Sequence, residues 1–197
     1  MRLLIAIFSL QVLVASAVAQ ISEPEIVTKT KHKVIDSVTY EVDLGAGEGS
    51  PEAVSLFRDK ASECAVRNLS FDAFQGRDSS GSFVGAYTGR YYQTDKRTFD
   101  PGSGELIVFA SETKPLVVAR GRETIGGAFP RMVQFNVAID GEGKLVFENI
   151  NMALLNTGSA KNTGFGQVYK QWGTGHKVMT KKLTEVAETL AECMNRS

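Results

Sequence analysis

The chain has 197 residues, with 22 Lys and Arg against 22 Asp and Glu, and 43% of it is hydrophobic. A near-neutral balance gives no general pull toward nucleic acid or anionic lipid, and the length suits one domain with a proper core. Two cysteines and two histidines are scattered too widely for a C-x-x-C redox pair or a recognisable zinc set.

Residues 1–19, MRLLIAIFSLQVLVASAVA, carry one charge at Arg2, then an apolar run ending in Ala17-Val18-Ala19. This small-x-small ending predicts a signal peptide cleaved near Ala19-Gln20, and so a periplasmic or secreted mature chain without a transmembrane segment. Residues 20–33 are polar and aperiodic and read as an extended arm; the basic run from Lys29 to Lys33 is a solvated segment before the first strand. In VTYEVDL, Val38, Tyr40, Val42 and Leu44 alternate with polar residues, the period of a strand with one wet face. Ser50-Pro51 then opens a helix expected over 51–67, because serine caps free amides and proline at the first position loses no useful donor. Val54, Phe57, Ala61, Cys64 and Ala65 form its buried stripe.

The stretch around 76–90 is rich in glycine and serine and reads as an insertion, with a glycine-kinked hairpin as the alternative. Asp100-Pro101-Gly102 is a turn signal. Leu106 to Ala110 is apolar on both parities and is expected as a central strand, with PLVVA at 115–119 a shorter one. MVQFNVAID and KLVFENINMALL form a hairpin around Asp140-Gly141-Glu142-Gly143. Leu145 and Phe147 hold one face while Ile150, Met152 and Leu154 have the opposite parity, so a bulge is expected near Glu148 or Asn149. From Val178 to Asn195, Met179, Leu183, Val186, Leu190 and Cys193 or Met194 form a second helical stripe. Two amphipathic helices need a shared apolar surface, which predicts an α+β fold: a single antiparallel sheet with two helices on one face, in the order β-α-β-β-β-α, over residues 34–197. In that layout Cys64 and Cys193 sit across a helix–helix contact. Either they form a disulfide, the expected state in an oxidising compartment, or they pack as buried thiols.

The segment that looks most like a ligand loop is GFGQVYKQWGTGHK, residues 164–177. It fails as a phosphate loop, because His176 stands where a lysine should directly follow glycine. His176 and His32 lack a G-x-S-x-G elbow, and Asp140, Glu142, Asp100 and Glu105 flank turns, where carboxylates usually shape the turn. DPGSGE falls short of a calcium loop. No catalytic, metal or cofactor set is expected. Phe165, Tyr169 and Trp172 remain, either capping their own core or offering a contact surface. The sequons at Asn68 and Asn195 matter only in a glycosylating pathway.

SPEAVSLFRDKASECAVRN, FDPGSGELIVFAS and MVQFNVAIDGEGKLVFENINM together resemble the secreted bacterial domains of unknown function that have a TATA-binding-protein-like fold. The likeness covers about residues 34–155 and the final helix, and the insertion near 76–90 departs from it. It implies a curved antiparallel sheet with helices on one face and brings no active site. It does not imply DNA binding, since fold is not function and the basic surface is missing. The expected role is a non-catalytic module that binds another envelope or extracellular protein through the sheet face or the 164–173 loop. Two alternatives are a carrier of a small apolar ligand or lipid between sheet and C-terminal helix, and a hydrolase.

Overall fold

The computed structural model describes residues 21–29, 33–44, 50–77, 83–84, 89–92, 96–100, 105–155, 164–171 and 175–196. Residues 1–20, His32, Trp172, Pro101-Gly102 and much of the 76–90 stretch lie outside these residues. In chain order the elements are β1 (Glu25–Lys29), β2 (Val34–Glu41), α1 (Pro51–Asn68), β3 (Phe74–Arg77), β4 (Phe83–Val84), β5 (Tyr91–Tyr92), β6 (Lys96–Asp100), β7 (Ile107–Ala110), β8 (Leu116–Ile125), β9 (Arg131–Asp140), β10 (Lys144–Leu154), β11 (Gly166–Gln167) and α2 (His176–Asn195).

One seven-stranded antiparallel sheet runs β1-β2-β10-β9-β8-β7, with β11 pairing on β10. β3 pairs with β6 and β4 with β5, two short ribbons whose strands flank or fall within the glycine- and serine-rich stretch. The element order is therefore richer in strands than β-α-β-β-β-α, while the architecture of one main sheet and two helices stands.

α1 begins where its sequence says it should. The Ser50 hydroxyl accepts from the Ala53 amide at 3.1 Å, and Pro51 occupies the first turn. The helix ends at Leu69, whose extended backbone still donates to the Ala65 carbonyl. α2 starts after Gly175, which has a φ of 82°. Phe57, Ala61 and Ala65 of α1 and Met179, Leu183 and Leu190 of α2 share one core with Val38, Tyr40, Val117, Val133, Phe135, Val137, Leu145 and Phe147 of the sheet. Both helices thus cover the same face. Cys64 and Cys193 form a disulfide between them, with Cα atoms 5.7 Å apart and a sequence separation of 129.

Within the core, Phe147 meets Tyr40 and Phe135 edge to face, at centroid distances of 5.7 and 5.2 Å. Phe135 lies over Gly121 of β8, where a β-carbon would come within 2.7 Å of its ring. Gly121 is thereby needed for the ring to reach across the strand. At the β9–β10 turn Gly143 has a φ of 87°, and a side chain there would meet the Val42 carbonyl at 2.8 Å.

Three expectations change. The 20–33 arm is extended but is also paired, since β1 adds to the edge of β2. Leu106–Ala110 contributes an edge strand rather than a central one. A register shift between Ile107 and Phe109 flips parity inside the run, so Ile107 and Ala110 face the core while Val108 and Phe109 remain 45% and 51% exposed. A bulged edge can thus imitate a doubly buried strand. PLVVA is the start of the ten-residue β8, a central strand whose second half, ARGRETI, is too polar to announce itself. The expected bulge in β10 is present: pairing with β9 shifts between Glu148 and Asn151, and Asn149 has a φ of 52°.

Candidate functional site on the open face of the sheet

The core-facing residues of β8 and β9 are Val117, Ala119, Val133, Phe135 and Val137. Alternation therefore directs Arg120 and Arg122, paired in register with Asn136 and Gln134, to the face opposite the helices. The chain leaving α1 reaches this face first. Ser70 takes the place beside β8 that β7 does not fill: its carbonyl accepts from the Arg122 amide at 2.7 Å, and its hydroxyl donates to the Arg122 carbonyl at 3.1 Å. Phe71, Asp72 and Phe74 follow beneath.

Arg122 is only 2% exposed. Its Nε and Nη2 donate to Gln134 Oε1 at 3.2 and 3.0 Å, and its Nη1 donates to the Asp72 carbonyl at 2.8 Å. The guanidinium carbon lies 4.0 Å from the Phe71 ring centroid and 5.2 Å from that of Phe165. A buried cation is costly unless such donors are satisfied, and an aromatic face adds further attraction. Phe165 also packs on Phe74 at 4.7 Å, within a small second core that includes Met132, Ala153 and Leu155.

Arg120 has a different environment. It is half-buried, its guanidinium carbon stands 5.3 Å from the Phe71 ring, and its Nε is buried with no hydrogen-bond partner. Beside it runs an apolar row set by register: Phe109, Val118, Ala138 and Val146, from the β7 edge inward. Arg120, Asn136 and Glu148 form the parallel polar row.

The residues singled out in the 164–177 segment divide. Phe165 joins the Arg122 cluster. Gly166 and Gln167 pair with Met152 and Asn151 of β10, and Tyr169 bridges to Val34 of β2. The Ile35 amide donates to the Val168 carbonyl at 2.8 Å, and Val168 itself enters the main core. The bulge at Asn149 parts β10 from β2, and this segment fills the gap. Phe165 and Val168 thus cap their own domain, and Tyr169 is half-buried. His176 opens α2 with its Nδ1 3.0 Å from the Gln171 carbonyl oxygen, and Asp140 Oδ1 accepts from the Glu142 amide at 3.1 Å, a turn contact. Among the described residues no three His, Cys, Asp or Glu side chains group as metal ligands.

The contact between the sheet and α2 is filled by fully buried Met179, Leu183 and Leu190. A groove of about 350 Å³ runs instead between the C-terminal halves of the helices, lined by Lys60, Glu63, Arg67, Glu192, Cys193 and Arg196.

Among the described residues two titrations are displaced. Burial pushes the Tyr40 phenol above its ordinary 10.0; a hydrogen bond with Thr184 opposes this and Glu188 adds to it. For Lys182, burial pulls downward, but Glu123 and Glu185, at 3.4 and 3.3 Å, outweigh it and hold the ammonium above its ordinary 10.5. In both cases the folded chain keeps a proton that the unfolded chain releases. Stability should therefore be intact below about pH 10 and fall as pH rises through the raised values. Denaturant titration across that range should show a shallower loss for Tyr40→Phe combined with Lys182→Met; an unchanged slope would refute the assignment.

Arg120, Arg122 and Phe71 were not candidates on the sequence. Their one signal is the R-x-R spacing after PLVVA, which on a strand sends two cations to one face. Together these features define an α+β protein with one face sealed by cross-linked helices and the other bearing an arginine–aromatic cluster beside an exposed apolar edge. Comparison with protein families, with curated proteins and with solved structures finds no match.

Proposed function

We propose that this chain is a non-catalytic, secreted or periplasmic module that binds another envelope or extracellular protein through the β7 side of its open sheet face. The observation that carries this is the exposure of Val108 and Phe109 on an edge strand, continuous with the row Val118, Ala138 and Val146. Edge strands with large apolar side chains are aggregation-prone unless something covers them. The disulfide supports an oxidising compartment, as does the leader-like N-terminus. No helix among the described residues is long and apolar enough to cross a membrane. One antiparallel sheet with two helices on a single face is also what the resemblance to the secreted TATA-binding-protein-like domains implies, and membership there is part of the proposal.

A photo-cross-linking amino acid placed at Phe109, or at Leu56 on the outer surface of α1 (71% exposed), tests the reading in intact source cells. One discrete protein adduct from position 109 and none from 56 is expected. Adducts from 56 alone, or a lipid in place of a protein in native mass spectra, would overturn it.

A further inference from the structure

We infer that Arg120 is a seat for a carboxylate carried by an acidic side chain of the partner polypeptide. The inference rests on the binding face proposed above and gives it a chemical preference. Arg122 is consumed inside the fold, held by Gln134, the Asp72 carbonyl and Phe71. Arg120, two residues away on the same face, is held beside Phe71 without equivalent partners: among the described residues its guanidinium makes no hydrogen bond or ion pair, and its Nε is shielded from water. A half-buried guanidinium left without an acceptor favours a partner that supplies one to its accessible Nη groups. A carboxylate does so best, because its two oxygens accept from the two Nη groups in parallel, whereas a neutral amide offers one oxygen. Register places Asn136 directly opposite Arg120, where its amide can also face the bound group. Glu148 lies one strand further along the same row, so the seat is not part of a broad basic field suited to phosphate polymers. The apolar row Phe109, Val118 and Ala138 runs alongside. That juxtaposition fits an extended polypeptide whose acidic residue is flanked by apolar ones.

The test uses the whole oxidised protein and two synthetic peptides with blocked ends, Thr-Val-Thr-Glu-Thr-Val-Thr and the same peptide with Gln for Glu. NMR follows the arginine Nε–Hε signals and the backbone amides. The Glu peptide should shift the Arg120 Nε–Hε signal together with the Phe109 and Val118 amides, and bind roughly tenfold or more tightly than the Gln peptide. In Arg120→Gln the two peptides should bind alike. Arg120→Lys, which keeps the charge but loses the planar fork, should retain only part of the preference. Equal binding of both peptides to the wild type, the same preference in Arg120→Gln, or an equal Arg120 shift from acetate alone would overturn the seat. Equal binding that still shifts Phe109 and Val118 would leave the binding face standing, whereas shifts confined to the helix face would remove both.

Discussion

Replacing Cys64 and Cys193 together by alanine should lower the unfolding free energy by about 4 to 5 kcal/mol. The cross-link closes a loop with a sequence separation of 129. In the chain-entropy account, a loop of that size restricts the unfolded ensemble by about this amount, and strain or residual structure reduces it in practice. For a chain of this length the loss corresponds to a fall in Tm of roughly 10 to 20 °C. Cys64 is buried and Cys193 half-buried, so the alanines also leave a small gap between the helices. Urea unfolding of the oxidised protein, the reduced protein and the double variant measures the effect. The last two should agree with each other and differ from the first. A loss under about 1 kcal/mol would mean that the helices are held by packing alone.

Arg122→Ala should cost roughly 3 kcal/mol. The substitution removes a charged donor from Gln134 and from the Asp72 carbonyl, and hydrogen bonds to a charged group contribute about 1.5 to 3 kcal/mol each, without simple additivity. It also removes the guanidinium that lies against the Phe71 and Phe165 rings. Arg122→Met keeps most of the side-chain volume and forgoes the charge, so its cost should be smaller. Equilibrium denaturation of the three proteins separates these contributions. If Arg122→Ala lies within about 0.5 kcal/mol of wild type, the second core beneath β8 and β9 contributes nothing measurable.

The elements legible in the sequence were those with one strong period. Both helices, the β9–β10 hairpin and the bulge after Phe147 could be read because each buries one face against a wet one, and that contrast is what periodicity records. The cysteine pair followed from two helical stripes. β1 could not be read, because an edge strand shows one protected side chain in five and otherwise looks like polar arm. β7 misled by a bulge that mixes its parities, and β8 by a second half in which Arg120 and Arg122 serve the other face and Glu123 pairs with Lys182 of α2. The site was hidden for a related reason. Arg122 is buried by Phe71 and Asp72, which follow a helix some fifty residues earlier, and no local pattern announces that meeting. Phe165 was visible as an aromatic in a glycine-rich loop, but whether it faced inward depended on Phe74.

One face of the sheet is covered by two tied helices, and the opposite face carries the exposed apolar edge at Phe109. Hydroxyl-radical footprinting of the native, oxidised protein tests this directly. Phe109 and Phe129, 51% and 71% exposed, should be modified readily, while Met179, Met194 and Phe147, at most 2% exposed, should be protected despite the reactivity of methionine. Fast oxidation of Met179 and Met194 with protection of Phe109 would contradict the layout and the binding face built on it.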